Sequence, residues 1–115
     1  MDYNKIENKN YEVRQHIHDV EGYVEYAGKG RLRHTHCFET ESGRAIPYGN
    51  SHVHKVEFIT DEVDCHCHKF CGTTGPAIPT GFGNHIHILR GKTTYDANHR
   101  HCVFVATGIE EPIRC

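Results

Sequence analysis

Six times along the chain, two histidines flank a single residue and an apolar side chain follows two positions later. The runs are His16/His18 with Val20, His34/His36 with Phe38, His52/His54 with Val56, His66/His68 with Phe70, His85/His87 with Leu89, and His99/His101 with Val103. Alternate residues of a β-strand share a face, so each run predicts a strand with both imidazoles and the apolar residue on one side. The residue between the second histidine and the apolar one is Asp19, Cys37, Lys55, Lys69, Ile88 or Cys102. The histidine face is therefore the expected core face. The remaining apolar residues are mainly Val, Ile, Phe and Tyr, which favour strands, and glycines and prolines punctuate them at turn-like places. No window shows the 3.6-residue period of an amphipathic helix. The fold class read from this pattern is all-β.

The strands belong to a longer unit. HTHCFETESGRAIPYGNSHVH from His34 aligns with HCHKFCGTTGPAIPTGFGNHIH from His66 at an offset of 32, matching Phe38/Phe70, Gly43/Gly75, Ala45/Ala77, Ile46/Ile78 and Pro47/Pro79. A third copy from His99 keeps Gly108 and Pro112, each 33 beyond Gly75 and Pro79. The chain thus reads as three pseudo-repeats of a two-strand unit, cut out of phase. It starts on an unpaired strand, HIHDVE, that resembles HVHKVE from His52, and it stops before the third copy reaches its second histidine strand. The missing strand is supplied by the same chain's start, closing a small barrel or sandwich, or by another chain's start in a solenoid-like array with strand exchange. Residues 25–33 read as an extra polar turn. The expected organisation is an N-terminal arm over residues 1–15 and one histidine-rich domain over residues 16–115.

All twelve histidines fall in these pairs. Neutral imidazole is the commonest protein ligand for transition metals. Buried and unsatisfied, a polar group costs roughly 1–3 kcal/mol, whereas a metal satisfies one ring nitrogen and a carbonyl or carboxylate satisfies the other. Two neighbouring antiparallel strands would present four imidazoles, giving three sites in all; three-histidine sites completed by water or a carboxylate are equally countable. The alternatives are a core of mutually hydrogen-bonded histidines and an acid-sensing core. The expected ligands are His16, His18, His34, His36, His52, His54, His66, His68, His85, His87, His99 and His101, and the expected cofactors are transition metal ions, copper or zinc first.

Composition adds a reason for such sites. Hydrophobic residues make up 37% of the 115, with no Trp, one Met and two Leu, so a metal, disulfides or subunit contacts are expected to help hold the fold. A net charge of −2 does not suggest nucleic acid or an anionic membrane as partner near neutral pH. No apolar run approaches membrane-spanning length and the polar start is not a secretory signal. That makes the cytoplasm the default location, with an extracellular filament open by a less obvious route.

Cys37, Cys65, Cys67, Cys71 and Cys102 alternate against the histidines, so they are expected on the opposite face, and Cys115 ends the chain. They read as disulfides in a core-poor domain, as free thiols, or, in CHCHKFC, as ligands for a soft ion, with disulfides slightly preferred. The acidic run at 61–64 reads as a solvated turn.

The repeated histidine strands, the connection GPAIP–GN–HIH within residues 75–87 and the ending HRHCVFVATGIEEPI at residues 99–113 resemble the YmaF family of small bacterial proteins. The resemblance spans roughly residues 16–113. It implies no settled activity and carries over only the paired histidines. Three functions follow. The first is a non-enzymatic, metal-binding structural protein that assembles with itself head to tail into a homopolymer or filament. The second is a soluble metal-storage or buffer protein. The third is a metalloenzyme, since residues 28–49 resemble a first cupin motif through His34, His36, Glu41 and Gly49. Near-equivalent pairs argue for copies of one site and against one special catalytic centre, so no enzyme is expected.

Overall fold

The computed structural model describes residues 15–113. The expected arm at 1–15, apart from Gln15, and Cys115 lie outside them. The domain is all-β: β1 (His16–Tyr23), β2 (Cys37–Glu41), β3 (Ala45–Tyr48), β4 (Ser51–Ile59), β5 (Lys69–Thr73), β6 (Ile78–Gly81), β7 (Asn84–Ile86), β8 (Ile88–Lys92), β9 (Cys102–Ala106) and β10 (Glu110–Pro112), with one short 3-10 turn at Gly30–Leu32. The strands form four small antiparallel sheets, β10-β1-β2, β3-β4-β5, β6-β7 and β8-β9. They do not make the single closed barrel that the sequence allowed. Short Gly- and Pro-containing connections interrupt the ladders before they can merge.

Three long hairpins carry the core. β1 pairs with β2, β4 with β5, and β8 with β9. Their inward residues Val20, Phe38, Val56, Phe70, Leu89 and Val103 are all buried and share one cluster with Val24 and Phe58. These include every apolar residue of the six histidine runs, so the face assignment made from alternation holds. The cluster is small and tightly fitted. The Phe38 and Phe58 rings stack at 3.9 Å. Phe70 lies flat over two glycines, and a Cβ on either Gly72 or Gly91 would sit 2.7 Å from its ring.

The short strands join one hairpin to the next. Ala45 pairs with His54 and Pro47 with His52, Pro79 pairs with His85, and Glu110 pairs with His18 and Pro112 with His16. The last strand therefore meets the first strand of the same chain, in the register that β3 takes on β4. Main-chain bonds follow the same course: Gly43 N–H donates to Lys55, Gly75 to Ile88 and Gly108 to Asp19, at 2.8–2.9 Å. The strand that seemed missing from the end of the sequence is β1.

At the opposite end of the hairpins the chain reverses in tight turns. Val63 bridges His66 and Asp96 bridges His99. The two residues between them have positive φ, Asp64 and Cys65 in one turn and Ala97 and Asn98 in the other, the conformation of a two-residue type I′ hairpin. In the first hairpin Ala27 bridges His34, and residues 28–33 replace the two-residue turn, which locates the polar insertion read from the sequence.

Candidate metal centre

An antiparallel hairpin fixes which histidines can meet. In each hairpin one pair opens the outgoing strand and the other precedes the returning strand, so the two pairs lie at opposite ends of the ladder. They cannot share a site. Equivalent pairs from the three hairpins converge instead, giving two groups of six: His16, His18, His52, His54, His85 and His87 at one end, site A, and His34, His36, His66, His68, His99 and His101 at the other, site B. Within each group the ligating nitrogens lie within 4.8 Å of one another. This corrects the count of four imidazoles per site and three sites. The pairing partner in the ladder is a proline, an alanine, a valine or an acidic residue, and the neighbouring histidines come from the other hairpins.

Each group has an inner ring and an outer ring. The inner histidines His18, His54 and His87 of site A, and His36, His68 and His101 of site B, are at most 1% exposed. The outer histidines approach one another through Nε2. His16, His52 and His85 are mutually 3.1 Å apart, and His34 lies 3.2 Å from His66 and 3.1 Å from His99. The rings pack edge to face. Each inner ring sits between two outer rings: His18 lies against His16 and His85, His54 against His52 and His16, His87 against His85 and His52. Site B repeats this with His36 against His34 and His66, His68 against His66 and His99, and His101 against His99 and His34. The two triangles are staggered.

The other ring nitrogen reveals the protonation. In site B every Nδ1 faces a main-chain carbonyl: Leu32, Asp64 and Ala97 for the outer ring, Asp61, Thr94 and Glu25 for the inner one, at 2.7–3.2 Å. In site A the inner ring does the same to Gly108, Gly43 and Gly75 at 2.8–2.9 Å. A carbonyl only accepts, so each of these Nδ1 atoms carries the proton and each Nε2 presents a bare lone pair. In the neutral tautomers that these bonds select, the six Nε2 atoms of site B have no proton with which to hydrogen-bond one another. His54, His87 and His101 have Nε2 atoms that are fully buried without a hydrogen-bond donor.

Burial disfavours the charged form of eight of the rings. It pushes His18, His54, His87 and His101 from 6.5 down to about 4, with the neighbouring imidazoles adding to the effect and the carbonyl bonds opposing it. Burial and four neighbouring rings hold His52 at about 3. His36, His68 and His85 are lowered for the same first reason. Three carboxylates stand behind the rings, Asp61 Oδ1 at 3.5 Å from His36 Nδ1, Asp96 Oδ2 at 3.5 Å from His68 Nδ1 and Glu110 Oε1 at 3.4 Å from His85 Nδ1. Burial opposes ionisation of Glu110, but main-chain N–H bonds and the adjacent His85 and His16 leave its carboxyl below the usual range.

A hydroxyl–glycine step builds the inner ring of site A. Ser42, Thr74 and Thr107 accept the main-chain N–H of His18, His54 and His87 at 3.0–3.1 Å. The glycine that follows each of them supplies the carbonyl to an inner Nδ1. Thr60 and Thr93 do the same for the N–H of His68 and His101 in site B. The glycines were visible in the repeat alignment; the hydroxyls beside them went unread, although they recur at the same offsets.

Cys65, Cys67, Cys71 and Cys102 are exposed and Cys37 half-buried, on the side away from the rings as alternation implied. All five described cysteines are free thiols, which corrects the preference for disulfides: alternation turns them outward, but it brings no two sulfurs into bonding distance. Among the described residues no cysteine sulfur joins a metal-ligating group, so CHCHKFC contributes its histidines alone. Hydrogen bonding to Asp61, with burial and its charge, raises the Cys37 thiol. No helix among the described residues is long and apolar enough to cross a membrane.

Comparison with known proteins adds one positive result. No curated protein and no solved structure matches the chain. Residues 13–109 match the family YmaF, described as "Spore germination protein GerY/YamF", and the chain belongs to that family.

Proposed function

We propose that this is a metal-binding structural protein in which two six-imidazole sites, one at each end of a small apolar core, tie three hairpins together. The observation that carries the reading is the convergence of bare Nε2 lone pairs in site B with every Nδ1 proton committed outward. Six acceptors facing one point repel one another, and a cation relieves that repulsion. At an Nε2 whose ring proton sits on Nδ1, a metal has no proton to displace. The thin core supports a structural role, since binding energy at preformed sites is folding energy.

Three further points bear on the alternatives. Catalytic metals keep an open position, and six protein ligands leave none, which supports a non-enzymatic role. Inner ligands at 0–1% exposure favour a held ion over an exchangeable store. A head-to-tail polymer drew its support from the phase of the repeat, and β10 on β1 accounts for that phase within one chain. Exchanging β1 between subunits would make site A an intermolecular site; β10 on β1 of the same chain supports the single chain as the proposed unit. The family's description names spore germination; for this chain we take it as the setting in which such a part would serve.

Elemental analysis of purified protein, with light scattering before and after chelation, tests the reading. Two ions per chain, bound to a monomer that loses heat stability when stripped, is the expected result. A metal-free protein of unchanged melting temperature would overturn it.

A further inference from the structure

The staggering of the rings says which ions these sites suit. In site A each ring lies against every other but one, and the excluded pairs are His16/His87, His18/His52 and His54/His85. In site B the excluded pairs are His34/His68, His36/His99 and His66/His101. Each excluded pair joins an inner ring to the outer ring across the centre. Six points in which each has one opposite and touches the rest are the corners of an octahedron. A trigonal prism would instead put each inner ring under a single outer one, which the contacts of His54 with both His52 and His16 contradict.

The size agrees. The shortest Nε2 separations, between outer rings and from His18, His36 and His68 to an outer ring, are 3.1–3.2 Å, and an octahedron of that edge has its corners about 2.2 Å from its centre, close to a metal–imidazole bond of about 2.0–2.1 Å. Resting on the proposal of metal binding, we infer that each site takes one six-coordinate first-row divalent ion of the Fe(II), Co(II), Ni(II) class, through six Nε2 atoms.

Donor chemistry disfavours other ions. Mg(II) and Ca(II) seek oxygen donors, and none points inward here. Structural zinc is almost always four-coordinate and tetrahedral; it would leave two buried lone pairs in each site without a partner. Cu(II) prefers tetragonal surroundings, whereas the three outer Nε2 atoms of site A are equidistant and show no elongated axis. Copper and zinc, expected from the histidines alone, fit an all-nitrogen donor set but not this arrangement of it.

Cobalt(II) reads coordination directly. Titrated into chelator-stripped protein without oxygen, it should bind at two equivalents per chain and give only the weak visible d–d bands of a six-coordinate ion. Uptake with the more intense bands of a four- or five-coordinate ion would overturn the octahedral assignment while leaving metal binding intact. A stoichiometry other than two would overturn the assignment of one ion to each six-ring site. No uptake by a folded protein would overturn the metal-binding reading itself, and this inference with it.

Discussion

The two sites hold the same six rings in different frames. Site B is framed by turns. Each outer ring bonds the carbonyl two residues before it, His34 to Leu32, His66 to Asp64 and His99 to Ala97. Site A is framed by ladders. Its outer rings stand opposite Pro112, Pro47 and Pro79 and face a cleft lined in part by Gln15, Asn50, Ser51 and Glu110. A turn carries its acceptor with the histidine, so the outer ring of site B is specified hairpin by hairpin, while its inner ring takes carbonyls of the other hairpins, Asp61, Thr94 and Glu25. A ladder needs the neighbouring strand, so site A exists only once β10 has met β1. The same ligand set can thus be a local or a global product of the chain.

Breaking one inner ligand in each frame gives the largest effect. His68→Ala should empty site B and His54→Ala site A, each lowering bound metal from two ions to one and destabilising the loaded protein by several kcal/mol, given the large share of folding energy a structural metal provides. Calorimetry with elemental analysis measures both. The comparison predicts that H54A also loosens β10 from β1, seen as faster amide exchange at residues 16–18, while H68A leaves that ladder protected. Equal exchange in the two variants would deny that the frames differ.

Acid is next in size. The folded-state pKa of His18, His54 and His87 lies at about 4, and that of His52 at about 3, against 6.5. Between these values the unfolded chain binds protons that the folded chain does not, so stability rises with pH there. The metal-free protein should be fully stable above about pH 6.5 and lose stability as pH falls through that value towards about 4. Circular dichroism melts across this window check it; stability that is flat or rises on acidification would contradict neutral burial. Loaded protein should hold out to lower pH, because protons then compete with metal.

Much of this was legible beforehand, for physical reasons. Period-two alternation fixed the faces, because a strand has no other way to place His18 and Val20 together, and both are buried. Repeat phase marked β1 as the partner of the chain's end. Grouping was not legible. Neighbouring strands suggest a pair as the unit of a site, but His16 and His34 are separated by the length of their own hairpin, and their partners come from strands tens of residues away. The Ser42, Thr74 and Thr107 hydroxyls were passed over because a Ser/Thr–Gly step is ordinary turn chemistry until its partner is known. Disulfides were overestimated because cysteine count says nothing about which thiols meet.

The core between the sites is shared, so a change there should strike both. Gly91→Ala would push a Cβ to 2.7 Å from the Phe70 ring, and that ring is buried in the core cluster. Overpacking of this kind costs about 1–3 kcal/mol. Denaturant melts should show that loss, with both ions still bound and their affinities lowered alike. A loss confined to one site would mean the core does not couple them.

The smallest effect sharpens the comparison most. If site B is framed by turns, the insertion at residues 28–33 is dispensable. Replacing it with the Ala-Asn turn of residues 97–98 would restore a two-residue connection between Ala27 and His34, which are already bridged. The residue two before His34 would still offer its carbonyl to Nδ1, as Leu32 now does and as Ala97 does for His99. Loop-closure entropy changes by only about 0.6 kcal/mol per doubling of length, so the shortened protein should match the parent within about 1 kcal/mol and bind two ions. Loss of the site B ion on shortening would show that this loop, and not the turn-and-carbonyl frame, holds His34 in place.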